Sequence, residues 1–200
     1  MKRNYKSTVN ACFAGYVVQS IVNNFVPLLF LTFNKSYGIE LSKITALITV
    51  NFILQLIIDL LSAFFIDKIG YRAAAVAAHV FAAAGLVSLT VLPDILPSPF
   101  VGLLISVMLY AVGGGLLEVI VSPIVEACPT DNKEKMMSLL HSFYCWGSVA
   151  VVGLSTLYFS VFTTANWKYL ALLWAVVPAV NALNFVRVPI APLLEEGEKG

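Results

Sequence analysis

Six uninterrupted apolar stretches of about 20 residues or more, at residues 8–33, 42–66, 72–92, 100–125, 136–162 and 167–188, constrain this chain more than any other feature. Each is long enough to cross the hydrocarbon core of a bilayer. Backbone groups in lipid must be satisfied internally, and the alternation expected of barrel strands is absent, so all six are predicted to be transmembrane helices. The fold class is therefore an all-α integral membrane bundle. Composition agrees: 60% apolar residues, 12% charged residues and a mean hydropathy of +0.89 lie outside the range of soluble domains.

The breaks between spans carry turn chemistry: NKSYG, DKIGYR, PDILPSP, ACPTDNKEK and TTAN. None is long enough to be a domain. The predicted organisation is one six-helix bundle over residues 1–190, followed at 191–200 by the start of a polar cytoplasmic linker ending in LLEEGEKG. The basic N-terminal group precedes an apolar run too long for a signal peptide, which reads as a retained first helix.

An even number of spans puts both termini on one side. Lys2, Arg3, Lys6, Lys68, Arg72, Lys133, Lys135, Arg187 and Lys199 fall on that side, against Lys35, Lys43 and Lys168 on the other. The positive-inside rule then predicts a multi-pass cell (inner or plasma) membrane protein with both termini cytoplasmic. A net charge of +1 gives no reason to expect a nucleic-acid partner. Cys12, Cys128 and Cys145 form no CxxC pair and read as small buried fillers, and no HExxH pair occurs, so neither metal nor cofactor is expected.

Polar residues interrupt this pattern with helical regularity. The second span carries Asn51, Gln55 and Asp59 at i, i+4 and i+8. The first has Gln19 and Asn23 in the same relation with Asn24 beside them, and the fourth has Glu118, Ser122 and Glu126. Singly, such residues clamp helices together at about 0.6 kcal/mol per pair. As three stripes they point to a shared water-accessible cavity.

Glu118 and Asp59 stand apart because they ionise about 10 to 12 Å inside the membrane, where a carboxylate costs roughly 2.5 to 3.5 kcal/mol. His141, in the fifth span, is the basic group expected at that depth. Glu118 is then protonated, bonded to His141 or a neighbouring amide, or facing water; each state suits proton coupling. Asp59 reads equally as coupling group or structural polar residue. Gly113, Gly114 and Gly115 precede Glu118 and permit either close packing or a hinge.

The second loop, AFFIDKIGYR, resembles the signature of the major facilitator superfamily. Ala63, Asp67, Lys68, Gly70 and Arg72 match, with Ala63 for the usual Gly and Tyr71 at the first of two basic positions. The resemblance implies a gating motif between spans 2 and 3. NNFVP, GGGLLEVIVSPIVEACP and SLLHSFYCWGS further resemble segments of the fucose:proton symporter group of sugar transporters. Where that group carries a buried Asp after its Asn pair, Phe25, Val26 and Pro27 stand here.

These resemblances imply the N-terminal six-helix half of a twelve-span transporter with its substrate between halves at mid-membrane. They imply a C-terminal half, or a second six-helix subunit, as partner in the bilayer. Expected substrate-binding residues are Gln19, Asn23, Asn24, Glu118, His141 and Trp146, with protons carried by Glu118 and Asp59 and a small polar solute, foremost a sugar, as cargo. Trp146 reads equally as a sugar platform or as core or lipid-facing packing. The alternatives are a non-transporting membrane scaffold and an intramembrane enzyme using His141 with a serine or glutamate, the latter without an HExxH element.

Overall fold

A computed structural model describes residues 5–192. The expected cationic residues Lys2, Arg3 and Lys199, and the linker residues from 193 onward, lie outside the described residues. The chain runs α1 (Lys6–Asn24), a 3-10 turn (Val26–Leu29), α2 (Phe30–Tyr37), α3 (Leu41–Ile69), α4 (Tyr71–Ile95), α5 (Pro99–Ala127), α6 (Lys133–Phe162), a 3-10 turn (Thr164–Asn166) and α7 (Trp167–Arg187). With α1 and α2 read as one span, the described residues contain six helical segments long and apolar enough to cross a membrane. No strand occurs among them.

Local chemistry sets the boundaries. Pro27 has no N–H to donate and opens the 3-10 turn that separates α1 from α2. Gly38 ends α2 in the left-handed conformation (φ +64°) and returns its N–H to Asn34 O at 3.0 Å. Gly70, at φ +83°, makes the tight joint between α3 and α4. Asn132 caps α6, its Oδ1 accepting from the Lys135 N–H at 2.8 Å.

Lipid offers no hydrophobic drive between helices, so close approach of backbones must hold them. The most extensive packing joins α4 to α5, with α4 to α7 next. Gly85, Gly102 and Gly113 lie along the α4–α5 seam. A Cβ at Gly85 would fall 2.5 Å from Tyr110 N, at Gly102 2.5 Å from Pro93 N, and at Gly113 2.5 Å from Ala78 O. The neighbouring two glycines meet other partners: Gly114 faces Val22 and Gln55, and Gly115 faces Ile58. Packing against three different helices accounts for GGG, and α5 runs through it without a break.

Helices α1 and α5 occupy the centre, with α4 and α7 behind them and α3 and α6 as flanks. Along α3 and α6 the outward positions are large and apolar, including Ile53, Leu60, Phe64, Val149, Leu157 and Val161. The α1–α6 seam is closed by Gly147, where a Cβ would sit 2.7 Å from Ser20 Oγ, and by Ser20 Oγ donating to Tyr144 O at 2.8 Å.

A second polar network joins α1, α4 and α7. His79 is fully buried; its Nδ1 lies 2.7 Å from Ala75 O and its Nε2 2.7 Å from Asn181 Nδ2, which also reaches Ala11 O at 2.9 Å. An amide nitrogen only donates, so Nε2 accepts and Nδ1 carries the hydrogen. Asn184 Nδ2 completes the set by donating to Asn181 Oδ1 at 3.3 Å.

Candidate solute cleft

The polar stripes of α1 and α3 meet face to face. Gln55 is the hub: its Nε2 donates to Asn23 Oδ1 at 2.8 Å and to Asn51 Oδ1 at 2.9 Å, and its Oε1 accepts from Gln19 Nε2 at 3.1 Å. Asn51 Nδ2 adds a bond to Asn23 Oδ1 at 3.2 Å. Gln55, Asn51 and Asn23 thus form a closed ring of amides on two helices, which Gln19 joins through Gln55 to make a four-amide cage. From it Gln19 Nε2 reaches across to α5 and Glu118 Oε2 at 3.4 Å.

In front of this cage lies a cleft of about 540 Å³, within the range of small-ligand pockets. Helix α1 lines it with Tyr16, Gln19 and Asn23, α3 with Phe52, Gln55, Leu56 and Asp59, α5 with Glu118, and α6 with His141, Tyr144 and Cys145. These positions repeat at three to four residues, so each helix turns one face inward. The two lining acids, Asp59 and Glu118, stand on different helices, α3 and α5. Neither lysine nor arginine is among the lining residues. The cleft opens between the flanking helices α3 and α6, on the side away from α4 and α7.

Of the residues expected to bind substrate, Gln19, Asn23, Glu118 and His141 come together here, with Asp59 beside them. Asn24 does not line the cleft; it bonds Ser20 O at 2.9 Å and Ser148 Oγ at 3.2 Å in the α1–α6 seam. Trp146 is 58% exposed on the outer side of α6, 5.5 Å from the Phe143 ring. Cys145, expected as a buried filler, is exposed instead, because it stands one turn after His141 on the cleft face of α6. His141 stacks obliquely on Tyr16 at 5.5 Å, and the hydrogen-bond partner of Glu118 is Gln19.

Sequence reasoning left out Tyr16 and Tyr144 as cleft residues, and it had Gln55 on the α3 polar stripe without naming it among the substrate-binding residues. Tyr16 bonds Ser122 Oγ at 2.9 Å, and Tyr144 OH accepts from Asn23 Nδ2 at 3.3 Å. Tyr16, three residues before Gln19, and Tyr144, three after His141, extend stripes already visible in the sequence. His79 is a further omission, hidden because an isolated histidine in an alanine-rich span advertises no partner.

At the α3–α4 joint, Ala63, Asp67 and Lys68 are exposed on α3 and Gly70 forms the turn. Arg72 turns toward α7 instead, donating from Nη1 to Phe185 O at 2.7 Å and Val186 O at 2.9 Å. It caps the last carbonyls of that helix. At the opposite end, Asp94 accepts from Tyr37 OH at 3.0 Å and pairs with Lys168, tying α2, α4 and α7 together.

The bundle resembles solved sugar transporters in fold. The xylose transporter XylE from E. coli in an inward-open conformation superposes with a TM-score of 0.81 at 15% identity, covering 94% of this chain and 49% of that one. A D-xylose-proton symporter gives 0.82 at 15% identity with the same coverages. XylE bound to 6-bromo-6-deoxy-D-glucose gives 0.77 at 13%, covering 92% and 45%. The chain therefore spans about half the length of the solved structures it matches. No curated protein matches the sequence. A model of the Major Facilitator Superfamily matches residues 11–199, nearly the whole sequence. The chain belongs to the major facilitator superfamily.

Proposed function

We propose that this chain is the N-terminal six-helix half of a secondary active transporter that moves a small polar solute, foremost a sugar, coupled to protons by alternating access. One observation carries the reading: polar stripes from four helices converge on one cleft that holds two carboxylates and opens on an unpacked side of the bundle. A scaffold needs its polar residues only at helix contacts, as in the His79–Asn181 network. Cleft residues backed by a closed amide cage are arranged to meet something else.

In this reading Glu118 and Asp59 carry the proton, and Gln19, Asn23, His141 and Tyr144 line the solute path. A second six-helix unit covers the open side, and Asp67 and Lys68 contact it as a gate while Arg72 steadies α7. The protein sits in the cell membrane with both termini cytoplasmic.

The test is uptake of labelled pentoses, hexoses and deoxyhexoses into proteoliposomes of the full gene product under an imposed pH gradient, beside Glu118→Gln. Gradient-driven uptake abolished by the substitution is the expected result. No gradient-driven uptake of any sugar would remove the sugar:proton reading.

A further inference from the structure

The amide cage fixes which hydrogen-bonding groups remain for a solute. Gln55 has both amide hydrogens engaged, on Asn23 and Asn51, and Gln19 has both engaged, on Gln55 and Glu118. Turning the Gln19 amide over would set its oxygen against Gln55 Oε1 and Glu118 Oε2, acceptor against acceptor. As an acceptor of this bond, Glu118 fixes the sense of the cage.

What remains on the α1–α3–α5 wall is a surplus of acceptors. Glu118 Oε1 faces the cleft with no bond of its own among the described residues. Gln19 is 3% exposed, and its Oε1 and Asp59 Oδ1 are buried atoms with no partner, just behind the surface. An unmade bond at such an atom costs about 1–3 kcal/mol. The free donors lie elsewhere: on α6 the His141 ring N–H, and one turn along α1, about 6 Å away by helical rise, the Asn23–Tyr144 end. There Tyr144 OH, occupied only as an acceptor from Asn23, keeps its hydrogen free.

We infer that the solute meets the α1–α3–α5 wall as a hydrogen-bond donor, through hydroxyl or ammonium groups bonded to Glu118 and Asp59, and accepts at the Tyr144 end. The inference rests on the solute-cleft reading above and gives that cleft a polarity. While both acids are ionised, carboxylates and acceptor-only molecules of the same size are disfavoured at this wall, because they would bring further lone pairs to it.

The chain carries its own reporter. Cys145 lines the cleft and is exposed, whereas Cys12 and Cys128 are buried, and burial pushes the Cys128 thiol up and slows it. Maleimide labelling of Cys145 in the full gene product, with Cys145→Ser as the blank, reads occupancy. Four probes are compared at equal concentration and ionic strength: D-xylose, its per-O-methyl ether, ethanolamine and acetate. The expected result is that xylose or ethanolamine slows labelling at least threefold, that the ether and acetate do not, and that Glu118→Gln and Asp59→Asn each weaken the protection. Unchanged labelling of both variants without solute shows that their clefts are intact.

Protection by ethanolamine alone keeps the donor inference and removes the sugar reading. Equal protection by the ether, or protection by acetate, overturns the donor inference and leaves a solute cleft standing. Protection by none of the four overturns both.

Discussion

Gln19 and Glu118 are joined across the α1–α5 boundary by a single 3.4 Å hydrogen bond, and the nitrogen that makes it also serves Gln55. The carboxylate is thereby tied to the amide cage of α1 and α3 rather than to a basic side chain. Gln19→Leu removes the donor from both partners at once. The expected loss is about 1 kcal/mol in reversible unfolding from mixed micelles, with a drop in uptake larger than that stability change explains.

Gln55 makes three of the cage's hydrogen bonds. Replacing it by leucine leaves Asn51 Oδ1 without its donor and Asn23 Oδ1 with that of Asn51 alone. In a double-mutant cycle, Asn23→Leu and Gln55→Leu are expected to couple by about 0.6 kcal/mol or more, the scale of polar pairs inside membranes. Strict additivity in the unfolding midpoints would mean the cage is not cooperative.

At Gly113 even one carbon would lie 2.5 Å from a backbone oxygen, whereas at Gly153 nothing lies within 4 Å. Gly113→Leu is expected to prevent recovery of folded protein, because overpacking a tight seam costs about 1–3 kcal/mol or more and here the obstacle is backbone. Gly153→Leu is the matched control and should purify and unfold as the parent does. Gel-filtration recovery and thermal scans distinguish the two.

His79 and Asn181 act as a unit, each being the other's only cross-helix side-chain hydrogen-bond partner among the described residues. His79→Leu and Asn181→Leu are each expected to cost about 1–2 kcal/mol. The double variant should cost less than the sum, since the first change already orphans the second group. Solute uptake per folded molecule should be unchanged, because neither residue lines the cleft.

The six spans were legible because a run of apolar residues must be helical in lipid whatever its neighbours do. The convergence of Gln19, Asn23, Glu118 and Asp59 was legible too, since four-residue spacing fixes a face. What spacing does not fix is rotation of one helix against another. Asn24 is adjacent to Asn23 in sequence and about 100° away around the helix, which takes it into the α6 seam. Trp146 departs for the same reason, while Cys145 beside it enters the cleft. His79 needed knowledge of Asn181, 102 residues on, which no local pattern supplies.

The three glycine contacts on the α4–α5 seam fall in antiparallel register: Gly85 on Tyr110, Gly102 on Pro93 and Gly113 on Ala78. Backbone meets backbone at each, and the outer two are separated along α5 by about 16 Å of helical rise. Two rods pinned at three points have no freedom to slide or to roll about their long axes. Any motion of this bundle that opens one side of the membrane and shuts the other must therefore carry α4 and α5 together as one stiff body, leaving bending and tilt to the flanking helices α3 and α6.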